Sequence, residues 1–166
     1  MKTLVLCRHA KSDWPEGVAD INRPLKERGW NDAAYLGDLL GQRNFRADHI
    51  ISSPAQRARS TAKEIAARIG YQDEIDIEET VYYQGSLSLI RHCKGLDDAW
   101  RTVMVFGHNP TMEETVRQML QVGSGFYMPT CAMACLESSA YSWAKVSAVN
   151  THLRWYLIPR FMRKNA

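Results

Sequence analysis

Residues 4–14 read LVLCRHAKSDW: four apolar side chains leading directly into an arginine and a histidine. An unbroken apolar run of this length fits a strand buried on both faces, as in the middle of a parallel sheet. Arg8 and His9 at its end resist burial. Either the strand surfaces there and the pair is solvated, or the sheet edge is built to hold something anionic. Two other stretches bear on the choice. Residues 49–57, HIISSPAQR, run a short apolar strand toward Arg57, and residues 102–109, TVMVFGHN, run another into His108. A helical pattern follows each strand, so the three are predicted parallel, with their carboxyl ends on one edge. Ligands of open α/β sheets bind outside that edge. Unrelated surface residues have no reason to gather there, and the joint placement favours an anion site.

The rest of the chain supplies the layers. Strands are predicted at residues 2–7, 48–52 and 102–106, and helices at 25–42, 54–69, near 87–93 and at 111–121. Ala58, Ala62, Ile65, Ala66 and Ile69 recur at the helical period, as do Ala33, Leu36 and Leu40. A short apolar piece lies at residues 75–77. After the turn-rich VGSGFYMP the period changes to two, and CAMACLE, YSWAKVS and LRWYLI read as antiparallel strands. The expected fold class is α/β: a three-layer sandwich whose mixed, mainly parallel sheet of about six strands carries helices on both faces. The closing PRFMRKNA is expected to be a solvated basic end.

At 166 residues the chain is the size of one ordinary domain, taken as 1–166. A charged fraction of 23% and a hydrophobic fraction of 45% are those of a soluble globular protein. The net charge of +3 permits an anionic ligand but falls short of the basic stripe of a nucleic-acid binder, so no nucleic acid is expected. Arg8 and His9 end the first apolar run too early for an export segment. No stretch reaches the length of a membrane span, which points to a cytoplasmic protein. Cys7, Cys93, Cys131 and Cys135 show no zinc-ligand spacing and read as reduced thiols in the core, with no redox role argued for Cys7.

Two helix starts sharpen the site. In SSPAQR, Ser53 fits the N-cap, Pro54 the first turn and Gln56 the partner of a capping box, and Thr111 with Glu114 suggests a second box. Free backbone N–H groups at such ends attract anions. Arginine donates bidentately to phosphate oxygens and keeps its charge. Flanking guanidinium groups also disfavour an imidazolium, so His9 is expected to be neutral near pH 7 and to carry a free lone pair. Two arginines and two histidines make poor metal ligands, and neither metal nor cofactor is expected.

LCRHAKSDW, NRPLKERG, SSPAQRARSTA and VFGHNPTMEE, in this order and spread over nearly the whole chain, resemble the motifs of the histidine phosphatase superfamily. The short length and the wording RHAKSDW and GHNP are similar to SixA-type phosphohistidine phosphatases. The resemblance implies a phosphoglycerate mutase-like fold and metal-independent hydrolysis. His9 would be the nucleophile, forming a transient phosphohistidine, with Arg8, Arg57 and His108 holding the phosphoryl oxygens. Ser12, the backbone of Asn109 and Arg23 would add substrate contacts. The usual glycine after the nucleophile is Ala10 here, and Lys11 to Pro15 depart from the mutase-like pattern. Glu78 or Glu79 would be the general acid. The expected partner is a phosphorylated protein, such as a histidine phosphotransfer domain, or a small phosphate ester. A small-molecule or phosphoserine/threonine phosphatase and a non-catalytic phosphate-binding module are the alternatives.

Overall fold

A computed structural model describes residues 1–162. Six strands form one mixed sheet: β1 (Lys2–Arg8), β2 (His49–Ser52), β3 (Asp76–Ile77), β4 (Thr102–Gly107), β5 (Met133–Ser138) and β6 (Thr151–Leu157). Their order is β3-β2-β4-β1-β5-β6, so β4 lies between β1 and β2. β1, β2, β3 and β4 run parallel, and β5 and β6 continue the sheet antiparallel. Along β1, Leu4 and Leu6 enter one core while Val5 and Cys7 enter the other. That two-sided burial is why β1 reads as an unbroken apolar run.

Helices α1 (Glu27–Gln42) and α2 (Gln56–Ile69) cover the face with Val5, with Leu36, Leu40, Ile65 and Ile69 turned inward. The opposite face takes α3 (Thr80–Tyr83), α4 (Ser86–Lys94) and α5 (Thr111–Leu120), through Val81, Leu89, Met112 and Val116. Burying each large aliphatic side chain contributes about 2 kcal/mol against chain entropy. All four cysteines are buried, and none forms a disulfide. No helix among the described residues is long and apolar enough to cross a membrane.

Three expectations are corrected. YSWAKVS is not a strand: Trp143–Lys145 form a 3-10 turn, and the sixth strand is β3, at the short apolar piece. The buried residues of that stretch, Trp143 and Val146, are three apart rather than two. Trp143 acts as a plug, its indole N–H donating to the Trp100 carbonyl at 2.9 Å and its backbone N–H to Asp98 at 2.7 Å. Neither capping box forms. Ala55 precedes α2 and Pro110 precedes α5, each without a side-chain cap. α2 starts two residues later than its box requires and α5 one residue earlier, and the predicted cap groups find other partners: the Thr111 hydroxyl donates to the Gln84 carbonyl at 3.4 Å, and Glu114 accepts from Ser86 at 3.3 Å. The basic end is a short helix α6 over Pro159–Met162 with Pro159 buried; residues 163–166 lie outside the described residues.

Candidate active site

The carboxyl ends of β1, β2 and β4 do share one edge, and His9 stands at its centre. Its backbone N–H donates to the Gly107 carbonyl at 2.9 Å, and its own carbonyl accepts from Cys131 N–H at 3.0 Å. Gly107 sits so close to Val81 and Met112 that a Cβ there would lie 2.6 Å from the Met112 methyl. The next residue, Ala10, is fully buried and donates its N–H to Thr61 of α2 at 3.0 Å, so the departure from glycine leaves the backbone anchored.

The imidazole of His9 is held from both sides. Nδ1 lies 2.7 Å from the Ala10 carbonyl, and Arg57 Nε donates to Nε2 at 3.3 Å. A carbonyl can only accept and a guanidinium only donate, so Nδ1 carries the proton and Nε2 the lone pair. Burial, and after it the charges of Arg57, Arg8 and Arg23, lowers the His9 pKa to about 4. The ring is therefore neutral at pH 7, as expected, but desolvation exceeds the guanidinium effect that the sequence suggested.

Arg57, 6% exposed, also donates from Nη1 to the Asp20 carbonyl at 2.6 Å and from Nη2 to the Asp20 carboxylate at 2.9 Å. The Tyr82 phenol donates to the same carboxylate oxygen at 2.7 Å, and Arg23 reaches the other at 3.0 Å. These contacts, the phenol first, hold the Asp20 carboxyl well below the ordinary range. Asp20 was not singled out by sequence. Asp20 lies in a 3-10 turn (Asp20–Asn22) of a long loop without periodicity, and its one signal was the adjoining NRPL motif.

Arg8 and His108 complete the cluster. The His9 and His108 rings are 5.0 Å apart, and the Tyr82 ring meets His108 edge-on at 5.3 Å. Burial, then His9 and Arg57, lowers the His108 pKa to about 3. Arg8 Nη1 donates to the Met128 carbonyl at 2.7 Å. Among the described residues, Arg8 Nε, His108 Nδ1 and Asn109 Oδ1 are buried without a hydrogen-bond partner. Native interiors rarely leave such atoms unpaired. Two of the three are nitrogens of the anion-binding residues the sequence predicted.

The other predicted residues stand further off. Ser12 bonds Arg23 rather than His9, accepting at 3.0 Å. Arg23 also donates to the Asp13 carbonyl at 2.9 Å and stacks 3.8 Å over Trp14, so it braces its own loop. The Asn109 amide donates at 3.0 Å to both Glu113 and the Met128 carbonyl, tying α5 to the loop that Arg8 touches. Glu78 accepts from the Thr80 N–H and hydroxyl and faces His92, and Glu79 is exposed; neither is bonded to a group of the site. No group of three or more His, Cys, Asp or Glu among the described residues is arranged to hold a metal ion. A cavity of about 610 Å³ opens at the opposite edge of the sheet, between Phe45 and Trp155, and contains none of these residues.

The sequence and the fold have relatives. The sequence profile of the histidine phosphatase superfamily, branch 1, matches residues 4–81. A crystal structure from Agrobacterium tumefaciens, assigned as a phosphohistidine phosphatase SixA, is 31% identical, with 95% of this chain and 98% of that one covered and a TM-score of 0.77. The protein histidine phosphatase SixA complexed with tungstate superposes with a TM-score of 0.80 over 97% and 99% of the two chains at 17% identity, a likeness of fold. An uncharacterized protein of Mycobacterium tuberculosis is 28% identical over 92% of this chain and 99% of its own.

Proposed function

Since the chain belongs to the histidine phosphatase superfamily, we propose that it is a metal-independent phosphatase that removes the phosphoryl group from phosphohistidine on a protein, through His9. One observation carries the proposal: a neutral imidazole whose lone pair is on Nε2, beside the Arg57 guanidinium and the unpaired Arg8 Nε and His108 Nδ1. Arg57 Nε exchanges His9 Nε2 for a phosphoryl oxygen, and the freed Nε2 lone pair attacks phosphorus, forming an N–P bond as the substrate's own P–N bond breaks. The departing nitrogen takes the bond's electron pair, and the substrate ring, already protonated on its other nitrogen, leaves as neutral imidazole. Water then displaces His9, releasing inorganic phosphate and returning the lone pair to Nε2. Arg8, Arg57 and His108 stabilise the equatorial oxygens during both transfers.

The leaving group decides the substrate class. An alkyl phosphate needs a proton delivered to its departing oxygen. The Asp20 carboxyl is held ionised, and Glu78 is committed to Thr80 and His92. Phosphohistidine needs no such donor, which supports it over alkyl esters.

Hydrolysis of an aryl phosphate in EDTA, followed by a phosphohistidine-bearing phosphotransfer protein, tests this with wild type and His9→Ala side by side. Wild type is expected to turn over both, and the variant to lose at least a thousandfold, on the order seen for removal of other activated nucleophiles. Full turnover by His9→Ala would exclude the nucleophile. Hydrolysis of alkyl phosphates as fast as phosphohistidine would exclude the substrate class.

A further inference from the structure

Ser53, at the end of β2, has no exposed surface. Its hydroxyl oxygen accepts from the Ala55 N–H at 3.2 Å and lies 2.7 Å from His108 Nε2. An amide N–H can only donate, so it occupies a lone pair of the oxygen and leaves the hydroxyl proton to be placed. His108 Nε2 is the acceptor within reach. If the ring donated from Nε2 instead, two buried groups would be stranded: a Ser53 proton without an acceptor and a bare His108 Nδ1 without a donor. With the serine donating, one open group remains, a proton on Nδ1, and His108 Nδ1 is a buried atom without a partner. Hydrogen-bond accounting therefore selects the second arrangement.

We propose that Ser53 is a positioning residue that locks His108 in its Nδ1–H form, so that the ring offers a donor to an oxygen of the transferring phosphoryl group. The neutral state of His108 makes this matter: an imidazolium would donate from both nitrogens, but burial leaves the ring one proton to place. The two histidines then hold the same tautomer and present opposite sides. His9 spends its Nδ1 proton on the Ala10 carbonyl and turns its lone pair toward Arg57 and the site, while Ser53 covers the His108 lone pair and leaves its proton open. Two bare lone pairs would repel an incoming phosphoryl oxygen. The role in transfer rests on the phosphatase assignment, whereas the tautomer does not.

The test reads the tautomer directly, from long-range proton–nitrogen correlation spectra of histidine-labelled protein at pH 7, with His108 assigned by its loss in a His108→Asn variant. Wild type is expected to show a protonated Nδ1 and a bare Nε2 on His108. Ser53→Ala is expected to lose that preference and to bind inorganic phosphate about tenfold more weakly, the loss expected for one charge-assisted hydrogen bond. A wild-type ring protonated on Nε2 overturns the proposal, and needs no variant to fold. An unchanged tautomer in Ser53→Ala overturns it too, as does phosphate binding that ignores the change of tautomer. Failure of the phosphatase assignment would show separately, as absent turnover by wild-type protein whose His108 tautomer and phosphate affinity are as expected.

Discussion

Arg57 turns one edge of its guanidinium to Asp20, through Nη1 and Nη2, and its Nε to His9. Asp20 thus aims a cation that would otherwise rotate about the end of a long side chain. In Asp20→Asn the ion pair is lost and the amide must find new geometry against Tyr82 and Arg23. The variant should lose up to about a hundredfold in kcat, with a smaller change in KM, as misaligned positioning groups do. Equal loss in kcat and in the affinity for phosphate would mean that Asp20 merely sets the charge of the pocket. At this scale the sequence disclosed the groups that end strands: Arg8, His9, Arg57 and His108 follow apolar runs whose direction is legible. It did not disclose Asp20 or the Met128 carbonyl, because their place depends on how loops fold back. Ser53 was legible as a special residue, yet its hydroxyl serves a ring 55 positions away as well as the Ala55 N–H at the start of its own helix.

Among the elements, α1 does more than cover the sheet. Gly29 in its first turn lies so close to the segment after His9 that a Cβ would stand 2.2 Å from the Lys11 carbonyl oxygen, which also accepts from Lys26 N–H at 2.9 Å. Helix propensity alone favours Gly29→Ala by about 1 kcal/mol. Backbone collision outweighs that gain, so Gly29→Ala should unfold at lower urea than wild type and lose phosphatase activity as the Lys11 segment is pushed outward. A higher urea midpoint would show that the contact yields. Helix and strand identities came through the periodicity where it was long, as in α1 and α2. It failed at residues 141–147, where a buried Trp143 imitates alternation, and at helix starts, where proline and tertiary partners displace local capping rules.

For the molecule as a whole, the site sets a limit on acid stability. His9 and His108 titrate near 6.5 in an unfolded chain but at about 4 and about 3 when folded. Between these values the unfolded chain binds more protons than the native one, so stability is complete above about pH 6.5 and is lost as pH falls toward 4. Each ring contributes on the order of 2 to 3 kcal/mol to that loss. Urea unfolding at pH 7 and pH 4.5 should show a smaller drop for His9→Gln, whose side chain does not titrate, than for wild type. Equal drops would sink this account. The sheet order also bears on biosynthesis. β4 is made third among the long strands of the parallel half, yet it lies between β1 and β2 and brings His108 with it. A nascent chain that ends before residue 102 cannot yet join the strand carrying His9 to the one preceding Arg57, and the Met128 carbonyl that holds Arg8 emerges later still. Until the segment from β4 to Met128 is free to fold, His9 lacks the neighbours that desolvate and orient it, so the chemistry is withheld from the earlier nascent chain.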